Sequence, residues 1–287
     1  MTRRVARFVI ALLLIGTSCR RATSGDVIEH PLLWAAEKDG ATTYLFGTMH
    51  AGVDATTRLP PSVFAKLDAA RAFAMETDIP DAELIAALQR PAGTLRDDLG
   101  PAYWAKLERA ISPAQAEAID RKKPMVAATL LSMRGLPPTL PMDRVMRDRA
   151  RERGKPVVLL ETPAEELAVL EKHMNLKALR MMLDDPDRIA GSTRQMMDAY
   201  VTGDEARILA VVDAQRADEL AHGYTQAEYD ELVADLIDKR NAAWIPVIEK
   251  LHAEGGGFVA VGAMHLVGPK SVRELLTARG FRISRVQ

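Results

Sequence analysis

Cysteine is almost absent from this chain: Cys19 is the only one in 287 residues. That excludes an internal disulfide framework and any multi-cysteine metal centre. Aromatic residues are also scarce, at 5%, a poor stock for a haem pocket. No excess of positive charge is present either. The formal net charge is -1 and Lys and Arg are dispersed, so the electrostatic footprint of a nucleic-acid partner is missing. The helical HExxH signature of zinc proteases does not occur. The leading apolar run, Phe8 to Ile15, is too short for an ordinary membrane span.

What the chain does have is 48% apolar and 27% charged residues, enough for one sizeable globular core. It begins with Arg3, Arg4 and Arg7, then Phe8 to Ile15, then Gly16-Thr17-Ser18 before Cys19. Basic, apolar and small segments in that order mark residues 1–18 as an export signal. Its removal takes three positive charges from the formal -1, leaving -4. A small-residue run closed by Cys is similar to the lipobox of bacterial lipoproteins, in which the cysteine is acylated, although Gly16 stands where Leu is usual. Two outcomes stay open: lipidation of Cys19, or simple cleavage and release. With lipidation, the membrane is a partner through the anchor, and Arg20 argues against inner-membrane retention. Residues 19–30 are polar and read as a tether. The expected location is the bacterial cell envelope, as an outer-membrane lipoprotein or in the periplasm.

Residues 31–287 read as one domain. A strand, a turn at Lys38-Asp39-Gly40 and a second strand from Thr42 to Phe46 come first. A helix entered through Pro60-Pro61 and a strand from Ala72 to Met75 follow. From about 81 to 154 the pattern is helical and repeatedly broken by proline, which predicts a cap of short helices. GKPVVLLETP reads as a buried strand, and the end of the chain as strand, helix and strand around Phe258 to Val261 and Ser271 to Ala278. The fold class is therefore α/β (α+β), with a large helical middle region.

One short pattern is written twice. LFGTMH closes on His50 and AVGAMH closes on His265, each an apolar strand followed by Gly, a small residue, Met and His. Two further strands end on carboxylates, at Glu76 and Glu161. In open α/β sheets the carboxyl edge is where ligands bind, so four acid/base or metal-capable side chains are expected there. Glycine at Gly47 and Gly262 permits the tight turn or close approach that each copy needs. Two His and one Glu form a ligand set for a catalytic divalent ion such as Mn, Co, Zn or Fe. Glu76 is either the third ligand or the general base. Asp78 is either a support for a histidine or a cap for the helix after Pro80. Glu161 belongs either to the site or to the next helix start, and Asp143 reads as a helix N-terminal charge. The other histidines, among them His173 and His252, read as surface or packing residues.

Several segments together resemble the TraB/GumN family, which includes the Tiki metalloproteases: YLFGTMHAG, LPPSV, AMETD, PMDRVM, GKPVVLLET, KRNAAW and FVAVGAMHLVGPKSVRELLTARGFRISRV. The likeness runs from about Trp34 to the C-terminus. It implies a mixed central β-sheet with flanking helices, distantly related to the erythromycin esterase and haem-binding ChaN group. It also implies a metal-dependent active site formed by His50, Glu76 and His265, and it singles out Arg240 and Asn241 of KRNAAW, which either face substrate, with Arg240 fixing a carboxylate or an oxyanion, or lie on a solvated helix face. The function expected from this is a metal-dependent hydrolase, a peptidase acting on a peptide or small-molecule substrate. The alternative is a non-catalytic envelope protein that binds haem or a peptide, in which Glu76 would have little to do.

Overall fold

The computed structural model describes residues 25–286. The proposed export signal and Cys19 lie outside the described residues. Among those described, no helix is long and apolar enough to cross a membrane.

The hairpin forms where the Asp-Gly pair predicts it. β1 (Leu33–Lys38) and β2 (Ala41–Thr48) are antiparallel, and the two residues between them, Asp39 and Gly40, hold φ of 50° and 79°. Positive φ at both central positions gives a turn whose twist matches that of the strands. β3 (Phe73–Met75), β4 (Val157–Leu159), β5 (Phe258–Gly262) and β6 (Arg282–Arg285) complete a six-stranded sheet in the order β4-β3-β5-β2-β1-β6. The β4-β3-β5-β2 block is parallel, whereas β1 runs antiparallel to both of its neighbours. The sheet is thus mixed and helices flank it, so the fold is of the α/β type.

β5 is the keystone. Phe258, Val259 and Ala260 are fully buried, as parallel strands covered on both faces require. The Phe258 ring packs on Phe46 of β2 at 5.8 Å and on Phe73 of β3 at 6.4 Å, locking three strands side by side. Helices surround this core, and the helix Met142–Glu152 buries Met142, Met146 and Ala150 in it. A second apolar cluster forms among other helices, where Leu95, Leu107, Ala127 and Leu131 meet Leu179 and Leu183. The molecule therefore has a sheet-centred core and a helical core beside it.

The two copies of the repeated motif lie on adjacent parallel strands, and they are out of step by one residue. Gly47 pairs with Val261, and Thr48 with Gly262. After β2 the first copy runs into an open bend that leaves the His50 side chain 59% exposed. After β5 the second tightens into a 3-10 turn, Ala263–His265, and the His265 side chain is only 5% exposed.

Candidate metal and acid/base site

Because β4, β3, β5 and β2 are parallel, their carboxyl ends share one edge, and the four expected side chains are delivered there. Glu76 follows β3 directly and is almost fully buried. One oxygen, Oε1, accepts the Gly262 N–H at 2.6 Å, and Oε2 accepts from Arg240 Nη2 at 2.6 Å. Arg240 also donates to Glu161, from Nη2 at 2.5 Å and from Nε at 3.0 Å, so a single guanidinium ties the ends of β3 and β4 together. Trp244, one helical turn on in the helix Lys239–Ala253, lies under that guanidinium at 4.9 Å and donates to Glu161 at 3.3 Å. The helix is entered through a π turn, Ala234–Asp238, a distortion found often at functional sites. Within it the Leu236 carbonyl accepts from Arg240 Nη1 at 3.1 Å.

The tautomer of His265 follows from its neighbours. Asn241 Nδ2 donates to the Lys270 carbonyl at 3.0 Å, which turns Asn241 Oδ1 toward His265 Nδ1 at 2.7 Å. Oδ1 can only accept, so Nδ1 carries the proton and Nε2 is left as an acceptor, which takes a hydrogen bond from Arg240 Nη1 at 3.3 Å. Burial, opposed by Glu76 and assisted by Arg240 and His50, lowers the His265 pKa to about 4 and keeps the ring neutral. The outer edge of the His50 ring is exposed, but protein atoms crowd its inner edge and that desolvation works against charge; the Asp143 carboxylate, with Glu76 and Glu166 farther off, outweighs it, raises the pKa to about 10 and holds the imidazole protonated at neutral pH. Asp143 Oδ1 lies 3.5 Å from His50 Nδ1, has no hydrogen-bond partner and is buried. Two hydroxyls next to strand ends, Thr48 Oγ1 and Thr77 Oγ1, are likewise buried and unpartnered.

Glu76 is held ionised. Burial raises its pKa, but His265, His50, Arg240 and the Gly262 N–H lower it to about 2. Glu166, on the helix Pro163–His173, moves in the other direction: burial and then Glu76 raise it to about 7 against the pull of Arg240. Carboxylate oxygens of Glu76, Glu161 and Glu166 come within 4.8 Å of one another. This three-carboxylate group is the tight set of potential ligands among the described residues, and neither histidine belongs to it.

The histidines converge on a different point, above Gly262. A Cβ built on Gly262 would sit 3.4 Å from Glu76 Oε1, 3.6 Å from His50 Nε2 and 3.6 Å from His265 Cδ2. Glycine leaves open the space that the two rings and the carboxylate face. Two imidazoles and the ionised Glu76 carboxylate are the donor types of a divalent-ion site, and an ion there would replace the proton that His50 carries and the hydrogen bond from Arg240 to His265 Nε2. In residue type the set suits such an ion, while the ligand atoms that lie within 4.8 Å of one another are those of Glu76, Glu161 and Glu166.

His50, Glu76, Glu161, Arg240, Asn241, Gly262 and His265 meet at this edge. Gly47 serves packing instead, since a Cβ there would press on Leu32 at 3.1 Å and Ala263 at 3.2 Å. Asp78 departs from both sequence expectations. The helix Asp81–Ala87 has Pro80 at its N-cap with no side-chain cap bond, and Asp78 pairs with Arg147 and with Arg151, the latter at 2.6 Å. The carboxylate beside a histidine is Asp143, which is also the first-turn acid of its helix. Glu166 escapes sequence reasoning because it sits inside a helical pattern with no strand end to flag it. His252 is a packing residue, bound to Thr43 Oγ1 and the Lys38 carbonyl, each at 2.9 Å.

The TraB/PrgY/gumN family profile matches residues 32–285, and the chain belongs to that family. It is similar to the "Uncharacterized protein YbaP" of Shigella flexneri, 26% identical over 247 residues covering 82% of this chain and 87% of that protein. The protein of the same description from Escherichia coli (strain K12) is 26% identical over 246 residues, covering 81% and 87%. No solved structure matches the chain.

Proposed function

Starting from membership of that family, we propose that the chain is a metal-dependent hydrolase whose divalent ion (Mn, Co, Zn or Fe) is held by His50, Glu76 and His265. When bound, such an ion polarises a carbonyl and activates water at neutral pH. The observation that carries the reading is the convergence of these three side chains on the space Gly262 leaves open.

The chain's own residues divide the remaining work. Asn241 fixes the His265 tautomer through a hydrogen bond, and the Asp143 carboxylate faces His50 Nδ1 as its ion-pair partner at 3.5 Å. Glu76, ionised and held at both oxygens, is suited to a ligand role. Glu166 is the carboxyl whose pKa of about 7 lets it take a proton at Oε from the attacking water and return it to the leaving group. Arg240 holds Glu76 and Glu161 in register and places positive charge beside the site, where a developing oxyanion would be stabilised. We extend the proposal to location, with export directed by residues 1–18 and anchoring through acylated Cys19.

The test is metal content by inductively coupled plasma mass spectrometry, wild type beside His265→Ala, together with turnover of a peptide and ester library. Loss of both metal and turnover is expected in the variant, and equal metal content in the two proteins would overturn the reading.

A further inference from the structure

A cavity of about 390 Å³ opens from the candidate site, with His50, Glu76, Arg240 and His265 among its lining residues. Its floor is made by the strand ends. Its apolar walls are the helices Asp81–Ala87 with its C-cap Leu88, Pro124–Ser132 and Pro163–His173, which contribute Leu84, Val126, Leu130, Leu167 and Leu170, and the helix Met142–Glu152 adds a charged wall through Asp143, Arg144 and Arg147. Leu84, Leu130, Leu167 and Leu170 pack against the helical core and are only partly buried, because one side of each faces the void. No Phe, Tyr or Trp lines the cavity among the described residues, and Met125 and Met133 add flexible thioethers.

Four observations select the occupant. Of the two hydroxyls in the lining, that of Thr129 on the walls donates to the Met125 carbonyl at 2.8 Å, and that of Thr77 lies on the strand-end floor beside the site, buried and unpartnered. Helical walls also spend their backbone N–H and C=O groups internally. An extended peptide laid along them would bury amides without partners, at a cost of roughly 1–3 kcal/mol each, whereas a hydrocarbon chain needs none. Charged lining residues away from the site pair with one another, Asp78 with Arg147 and Asp81 with Arg144, the latter at 3.6 Å. Finally, 390 Å³ against the ~30 Å³ that a water takes up in the liquid is room for roughly a dozen non-hydrogen atoms, several times a leucine side chain.

We infer that this cavity binds an aliphatic acyl chain, so that the substrate is an acyl ester or amide whose carbonyl rests at the strand-end site. The inference of substrate class rests on the hydrolase reading; the binding of the chain does not. In the reaction, water oxygen bonds to the acyl carbon, the bond from that carbon to the leaving oxygen or nitrogen breaks, and the leaving group departs with a proton. The products are a fatty acid and an alcohol or amine.

The experiment is calorimetric titration of the purified protein with sodium hexanoate, octanoate, decanoate and laurate. Affinity should rise about fourfold per added methylene, the equivalent of ~0.8 kcal/mol, until the void is full. Leu130→Trp and Leu84→Trp fill the cavity from different walls, and either one that keeps the wild-type circular dichroism spectrum should lose the chain-length dependence. No rise with chain length in wild type, or an equal rise in a folded filled variant, would overturn the inference. Chain-length-dependent binding without ester or amide turnover would support the cavity and count against the hydrolase reading. Turnover of acetyl esters with no chain-length effect would do the reverse.

Discussion

Two glycines show how differently one residue type is used in the repeated motif. At Gly262, with φ of -50°, alanine is conformationally acceptable, and its methyl would meet its nearest neighbours at 3.4–3.6 Å, ordinary contact distances. The added methyl would occupy the space that the proposed ligands face. Gly262→Ala is therefore expected to fold with a melting temperature close to that of metal-free wild type while losing metal and turnover. At Gly47 the methyl would press on Leu32 at 3.1 Å and on the Ala263 backbone at 3.2 Å, inside the packed core. Gly47→Ala should instead cost about 1–3 kcal/mol of stability as overpacking, read by urea denaturation. The opposite pattern, a destabilised Gly262→Ala and a silent Gly47→Ala, would show that the Gly262 space serves packing rather than binding.

At the scale of elements, the strand ends were legible in the sequence and the helix faces were not. A short apolar strand has one carboxyl end, and parallel neighbours put all such ends on one edge, so His50, Glu76, Glu161 and His265 could be placed by reading where β2, β3, β4 and β5 stop. A helix offers several faces, and which one meets the site depends on packing against distant elements. Asp143 and Glu166 are side chains of that kind, visible in the sequence only as acids in a first helical turn. Asp78 was misread for a related reason, because its partner Arg147 lies on a helix far along the chain, while Pro80 nearby suggested a local cap. Arg147 is itself buried and ties the segment after β3 to the helix that carries Asp143. Removing one partner of a buried pair costs roughly 3–5 kcal/mol, and Arg151 still pairs with Asp78 at 2.6 Å. Arg147→Ala should thus destabilise toward the lower end, about 3 kcal/mol, and weaken metal retention by loosening Asp143. A variant as stable as wild type would show that this contact is not part of the site's support.

At the scale of the whole molecule, two kinds of linkage hold distant parts together. Asp235, in the π turn before Arg240, accepts from Lys172 and Lys239, the latter at 2.6 Å, and contacts His173 at 2.9 Å, joining the helix Pro163–His173 to the helix that carries Arg240. The hydrogen bonds from Lys172, Lys239 and His173 hold its pKa below the usual carboxylate range. A depressed folded-state pKa contributes stability that is present above the unfolded value, near 4, and is lost as pH falls through the folded one. Asp235→Asn should therefore lose stability at pH 7 and show a flatter acid limb than wild type below pH 4. The second linkage is the metal. His50 follows β2 near the start of the chain and His265 follows β5 near its end, and the site exists only when the parallel register of those two strands has formed. Binding to the folded state alone stabilises it by ~2.7 kcal/mol at a hundredfold excess over the dissociation constant. Adding a chelator should lower the melting temperature of the wild type, and restoring Mn, Co, Zn or Fe should recover it. His265→Ala should melt where chelated wild type melts and should not respond to the ion. An unchanged wild-type melting temperature with every one of these ions would mean that the two copies of the motif meet across β2 and β5 for packing alone.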